Sequence, residues 1–454
     1  MKTILIIALL LLTCQAYPQG VFESSLSGGS DSGNSRLSIG GYTRGAAFLG
    51  IIPEQDPYLQ SLYAETSIKM KYNGGSWGGA FTDIRFYTGS EYNEKVHKMD
   101  LREAYADFNI NRLGLRFGKQ ILSWGRADGF NPTDNLTPKN YFVRSSEPDD
   151  LKIGNILLRA QYQAFDFLRL EVDLVPWYAP SLYRFDLIEM PAFVRINPVV
   201  QPGFAWDDGS IGAKADLIFG LVEGALSWYS GYDHLPALAP GAVTMSPTEG
   251  LDVGINQIPY RQQVFGADFA TTLLGTGLRG EFAYKVPDTD SARPFKPNPE
   301  FQWVVSLDRG FGPLRLVAAY NGKWVKDFIP ADAPGEFDPA ILADPSIWPM
   351  LEGMFANQIG YYNRILFDQT HETSHTVLFR PSLQLFHESL EVEAAVIWNI
   401  TTEEYLLYPK VTWKHGSGIQ ASMGYQHYAG PENTRFSWIK DAFNGPFIEF
   451  KASF

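Results

Sequence analysis

Segments of about ten residues in which apolar and polar side chains alternate recur along this chain of 454 residues. Between positions 167 and 175, Leu168, Leu170, Val172 and Leu174 share one face, and Arg169, Glu171 and Asp173 share the other. Ala213, Ala215, Leu217 and Phe219 alternate with Lys214 and Asp216, and Leu390, Val392, Ala394 and Val396 alternate with Glu391 and Glu393. A period of two belongs to a strand with one face in apolar and one in polar surroundings. Strands of soluble proteins typically run about 5–6 residues, whereas a tilted strand needs about ten to cross a bilayer.

The connections add a rhythm. Short ones fall at 73–76, 110–112, 309–312, 387–389 and 415–418, and long ones near 122–152, 177–207, 231–261, 286–299 and 324–373. Tight turns on one side and long loops on the other characterise transmembrane barrels, and a soluble sandwich has no reason to keep them. The pattern predicts an all-β, antiparallel transmembrane barrel of about 18 strands, or 16 if a weak pair merges, with both termini on the periplasmic side. The predicted spans are 36–48, 61–72, 77–89, 99–110, 112–121, 153–163, 166–176, 208–219, 222–231, 262–273, 276–286, 300–309, 313–323, 374–386, 390–401, 405–414, 418–428 and 444–454. The link 401–404 is the one short connection that falls on the outer side.

The ends fit export. MKTILIIALLLLTCQA reads as a signal peptide over 1–16, with Cys14 as a weaker lipoprotein alternative. Residues 17–35 form a Gly/Ser/Asn-rich lead-in, and 36–454 the barrel. Cleavage after Ala16 removes the single cysteine, so disulfides do not stabilise the mature chain. Lys+Arg number 37 against 50 Asp+Glu, a net charge of −13 without a basic run, which argues against nucleic-acid binding. After the leader no run of 18 apolar residues occurs, so no transmembrane helix is expected. The chain closes on FIEFKASF, an alternating strand ending in Phe454, which resembles the C-terminal signature of bacterial outer-membrane barrels.

Two motifs invite enzymatic readings. His371, Glu372 and His375 match H-E-x-x-H, which on a helix puts two imidazoles on one zinc. The following alternation of Val377, Phe379, Leu383 and Leu385 with Arg380, Ser382 and Gln384 is that of a strand. Along a strand residues four apart lie about 13 Å from each other, too far to share an ion. Ser437 to Lys440 matches S-x-x-K without its companion motifs. No catalytic residues, metal or cofactor are expected.

The strand phase selects lumen-lining candidates: Arg116, Arg169, Glu171, Asp173, Lys214, Asp216, Arg279, Glu281, Arg315, Arg380, Glu391, Glu393 and Lys410. The signs are mixed, with Arg380 expected opposite Glu391 and Glu393, and those opposite Lys410. A barrel of 16–18 strands is too wide for wall side chains to fill, which favours a channel.

The segment LREAYADFNINRLGLRFGKQILSWGRADGFNPTDN runs from a strand into a loop rich in turn residues. It resembles a stretch shared by porin-like bacterial outer-membrane barrels, including the alginate-export type and an uncharacterised porin-like family with the same WG…NPTD run. In general porins the third outer loop folds into the lumen. The resemblance therefore implies that Trp124, Arg126, Asp128, Asn131 and Asp134 help form a constriction. A loop packed at the rim is the alternative. Residues 176–204 are unusually apolar for an outer loop, which suits either a hydrophobic port or, more simply, a cap packed beside the 324–373 loop, where Pro349 to Ile359 can form a short helix.

The expectation is an outer-membrane channel or porin for small solutes, with selectivity set by inward loops and lumen charges. Its surroundings would be outer-membrane lipid, its ligand a small-molecule solute, and a homo-oligomer is compatible. The rivals are a transporter of hydrophobic compounds, a non-conducting adhesin or envelope-assembly barrel, and a barrel-borne hydrolase.

Overall fold

The computed structural model describes residues 36–187, 193–203, 208–246, 250–288, 295–330, 333, 348–416 and 418–454. The leader and lead-in lie outside them. Eighteen strands form one closed antiparallel barrel. They are β1 to β7 (Leu37–Gly50, Tyr58–Asn73, Gly78–Glu91, Glu94–Ile110, Leu113–Gln120, Asn155–Phe165, Leu168–Val175), then β9 and β10 (Ser210–Phe219, Val222–Tyr232). The rest are β13 to β21 (Arg261–Leu273, Thr276–Pro287, Glu300–Phe311, Leu314–Val325, Thr373–Leu385, Leu390–Asn399, Glu404–His415, Ile419–Ala429, Gly445–Ser453). Each pairs with its neighbour, and β1 closes the ring on β21, with Arg44 opposite Lys451.

Alternation decides the two faces. On β5, Phe117 is 57 % exposed toward the outside while Gln120 is buried inside. Leu226 of β10 and Met423 of β20 are likewise exposed outward. Such a belt is costly in water and favourable in hydrocarbon. Aromatics bracket it. Tyr284, Phe301 and Trp324 stack at the outer ends of β14, β15 and β16, with centroids 4.1 and 5.5 Å apart. Phe165, Phe167 and Phe219 stack at the short turns at the opposite end. Among the described residues, no helix is long and apolar enough to cross a membrane. The turn between β13 and β14 holds Leu274 and Gly275 at φ 51° and 76°, the left-handed pair that a two-residue hairpin uses.

The structure departs from strict alternation near the site, at Phe48/Leu49 of β1 and in the β3–β4 pair. In the β3–β4 pair, Asp83 lies opposite Glu103 and Ile84 opposite Leu101, so Arg102 is an extra, bulged residue. The bulge keeps Leu101 facing outward and turns Arg102 inward, where it donates to the Asp149 carbonyl at 2.6 Å. The connection expected over 90–98 is instead strand, because β3 and β4 run on to a tight turn after Glu91. The expected short link at 401–404 is present, with β18 ending at Asn399 and β19 beginning at Glu404, but it is not the one short connection at that end, since the β3–β4 turn is tighter still.

The outer connections carry their own structure. A three-stranded sheet joins β8 (Val194–Val199), β11 (Ala237–Ser246) and β12 (Gly250–Ile258). The helix α1 spans Trp348–Leu366, longer than the expected Pro349 to Ile359. Its Leu351, Phe355 and Ile359 pack on Val253, Leu238 and Ile255 of that sheet. Phe193, Val194 and Ile196 from the apolar segment join the same clusters. A second helix, α2 (Arg435–Phe443), starts at a Thr434–Ser437 capping box, so the serine of the S-x-x-K match serves a helix end.

Candidate functional site

The loop 121–154, between β5 and β6, crosses the inside of the barrel. Trp124 is 2 % exposed and donates from Nε1 to Glu171 Oε1 of β7 at 3.0 Å. It fits because Gly212 on β9 has no side chain: a Cβ there would meet the indole at 2.6 Å. Arg126 then reaches three further inner-face acids. Its Nη1 donates to Glu223 Oε2 at 2.6 Å and its Nε to Asp268 Oδ1 at 2.7 Å, and Nη2 lies 3.6 Å from Asp216 Oδ1. Glu281 of β14 accepts the backbone N–H groups of Arg126 and Ala127, each at 2.5 Å, and the Thr133 hydroxyl at 3.0 Å. Asp128 pairs with Arg279. Beyond it Phe130 packs on Val317, Ala319 and Leu378 of β16 and β17.

The return half of the loop is fixed to another part of the wall. Asp150 accepts from Arg44 of β1 at 2.6 Å and from Arg85 of β3 at 2.8 Å. Arg44 also lies 3.1 Å from Glu65. Burial alone would raise the Asp150 carboxyl, but Arg44, Arg85 and the Ser145 hydroxyl outweigh it and hold it well below the usual carboxylate range. Arg144 lies between the rings of Phe48 and Phe443, 4.7 and 4.8 Å from their centroids, and donates to Gln426 at 2.8 Å.

Every lumen-lining candidate is on the inner face by register. Arg116 donates to Asp107 at 2.6 Å and sits over the Tyr105 ring. Glu171 accepts from Arg159 and Gln161, and Asp173 is buried opposite Arg159. Asp216 gathers Arg169 at 2.9 Å and Lys214 at 3.1 Å. Arg315 pairs with Asp308. One expected pairing is different. Glu391 lies opposite Gln384 and Glu393 opposite Ser382, not against Arg380, which shares a row with Val317. Glu393 instead meets Lys410 at 2.7 Å and Glu391 meets Lys414 at 2.9 Å.

Of the loop candidates, Trp124, Arg126 and Asp128 grip the wall. Asn131 accepts the Thr133 hydroxyl within the loop. Asp134 is buried 3.6 Å from Lys139, and burial raises its carboxyl despite that ammonium. Sequence reasoning missed Asp268, Asp150 and Arg44. Arg44 had a signal: it is the sole charge in β1.

H-E-x-x-H does not lie on a helix. His371 and Glu372 are in a bend before β17. The His371 ring bonds Thr370, Glu372 accepts the Trp324 indole N–H at 3.2 Å, and His375 faces outward with Nδ1 2.8 Å from the Tyr320 hydroxyl.

On the outer side of the loop lies a cavity of about 340 Å³, bounded by the turn 129–135, the outer ends of β13 to β16, and the residues around Asp233 and Phe367. Its lining mixes carboxylates, ammonium groups and amides.

The fold recurs in solved structures of low sequence identity. OccAB4 of Acinetobacter baumannii superposes with a TM-score of 0.53 at 10 % identity, covering 92 % of this chain and 98 % of that one. OccK9 (OpdG) of Pseudomonas aeruginosa gives 0.52 at 10 %, covering 92 % and 97 %. OccK3 (OpdO) of Pseudomonas aeruginosa gives 0.52 at 12 %, covering 92 % and 95 %. No curated protein matches by sequence. The chain thus shares its β-barrel fold with these structures. A family model described as a protein of unknown function (DUF1302) matches residues 54–292, more than half of the chain, and the protein belongs to that family.

Proposed function

We propose that this barrel is a channel in the bacterial outer membrane through which small polar solutes diffuse, with the loop 121–154 as its constriction. The observation that carries the reading is Arg126, which ties the loop to Glu223 and Asp268 on the inner wall. A loop meant only to cover the rim would have no use for an arginine among acids of the inner wall. Eighteen strands enclose more space than their own side chains fill; the loop fills part of it, where Leu122, Trp124 and Leu136 form a buried cluster with Leu157, Val175, Tyr229, Val264 and Ala283, and so narrows the route that is left. The polar, mixed-sign inner face suits hydrated solutes without selecting strongly for one charge. A hydrophobic port is less well supported, because Phe193, Val194 and Ile196 are committed to packing against α1 and the three-stranded sheet.

Planar-bilayer recording of the purified protein tests the reading. Ohmic single-channel steps are expected, and deleting 127–134 should raise their conductance. A folded barrel that gives no steps either way would leave the adhesin or assembly roles.

A further inference from the structure

The cavity outside the constriction has a lining that discriminates by charge in an unusual way. Lys285 Nζ lies 3.6 Å from Glu300 Oε1, and Lys139 Nζ lies 3.6 Å from Asp134 Oδ2. Both separations exceed a hydrogen bond, so each ammonium keeps N–H donors for another partner. An acceptor is also left over among the described residues: Asp134 Oδ1 is buried without a hydrogen-bond partner.

An ionic solute gains little here. A carboxylate brought to Lys285 comes close to Glu300, and a cation brought to Asp134 comes close to Lys139; Asp233, also in the lining, already accepts from the Leu235 N–H at 2.8 Å and the Gln262 amide at 2.7 Å. Each attraction is offset by a like charge a few ångströms away. A hydroxyl suffers neither repulsion, and it both donates and accepts. Tyr260 and Phe367, edge to face at 5.8 Å, add an apolar wall for the C–H face of a ring. The volume falls within the range of about 300–1,000 Å³ typical of small-molecule sites.

We propose that this cavity binds neutral, hydroxyl-rich solutes of the sugar type before they meet the constriction. The proposal rests on the channel reading for its place in a transport path, but not for binding itself. Its probes are maltose (neutral), gluconate (anionic) and glutamine (zwitterionic). Each is added to the outer side in bilayer recordings, and titrated calorimetrically into the detergent-solubilised, full-length protein. Maltose should block the current and release or absorb heat saturably. Lys285→Met and Lys139→Met should each raise its half-saturating concentration roughly tenfold, the loss of one charge-assisted hydrogen bond. Heat-modifiable gel mobility confirms that each variant is folded, and either one suffices if the other is not. Tighter binding of gluconate or glutamine overturns the proposal, as does the absence of heat from all three. Maltose heat that is lost in the variants, with no conductance from any sample, would keep the site and remove the channel.

Discussion

Arg126 Nε donates to Asp268 Oδ1 at 2.7 Å although 142 residues separate them in the chain. The same guanidinium reaches Glu223 at 2.6 Å. One side chain on a loop after β5 thus joins strands β10 and β13. A planar fork with five donors is suited to this, and an ammonium is not. Arg126→Ala leaves the almost buried Asp268 without its partner, a loss of about 3 kcal/mol in loop attachment, at the lower end for a broken buried pair because Glu223 is half exposed. The expected result is a larger single-channel conductance and faster protease cleavage near residue 126. Arg126→Lys should restore little of either. Unchanged conductance and cleavage would show that the loop is held elsewhere.

The second attachment is acid-sensitive. Arg44 and Arg85 hold the Asp150 carboxyl below its ordinary range in the folded loop. A depressed native pKa stabilises the closed arrangement fully above the unfolded pKa, about 3.9, and the contribution fades as pH falls through the depressed value. Conductance should therefore be level from neutral pH to about 4 and rise below that. Asp150→Asn should give the raised conductance already at pH 7 and flatten the acid limb. A rise that begins near pH 6 would place the acid-sensitive contact elsewhere than at Asp150.

Trp124 and Gly212 form a third, steric test. Gly212 leaves the room that the indole occupies, and any Cβ there meets it at 2.6 Å. Gly212→Val should displace Trp124 from Glu171 and be read as a change in its fluorescence together with looser loop attachment. Trp124→Ala removes a fully buried ring at a cost of about 3–5 kcal/mol, so both variants should move protease sensitivity in the same direction. A Gly212→Val protein with unaltered tryptophan emission and cleavage would mean that the wall yields instead.

The barrel was legible in the sequence because its cause is local. Each strand must offer one face to lipid, and Leu168, Leu170, Val172 and Leu174 say so without any partner. The ends of the outer loops were not, since β8, β11 and β12 owe their shape to packing on α1 rather than to their own alternation. The site was legible in part. Glu281 shows in the phase of β14, but that it accepts two loop N–H groups depends on a fold across the lumen. Arg102 was hidden by a bulge, which shifts the face without leaving a mark in the composition.

The same locality disposes of the zinc motif. His375 sits on β17 with its ring 6.1 Å from that of Tyr320 on the outer face, and Glu372 is engaged by Trp324. Purified protein should hold zinc below one equivalent, with no change in His371→Ala. A stoichiometric metal lost in that variant would restore the peptidase reading.

Neighbouring positions of β17 give the sharpest test of which face meets lipid. Phe379 is 47 % exposed, on the same side as Val377. Ser382 lies on the other side, opposite Glu393. An arginine at the bilayer midplane on the lipid face of a barrel costs about 2–4 kcal/mol, while one facing water costs little. Phe379→Arg should therefore lower the yield of folded barrel in liposome refolding. Ser382→Arg should fold like the parent, because Glu393 can accept the new charge. Equal yields from the two would mean that the phase of this strand, and with it the assignment of Arg380, Glu391 and Glu393 to the lumen, is wrong.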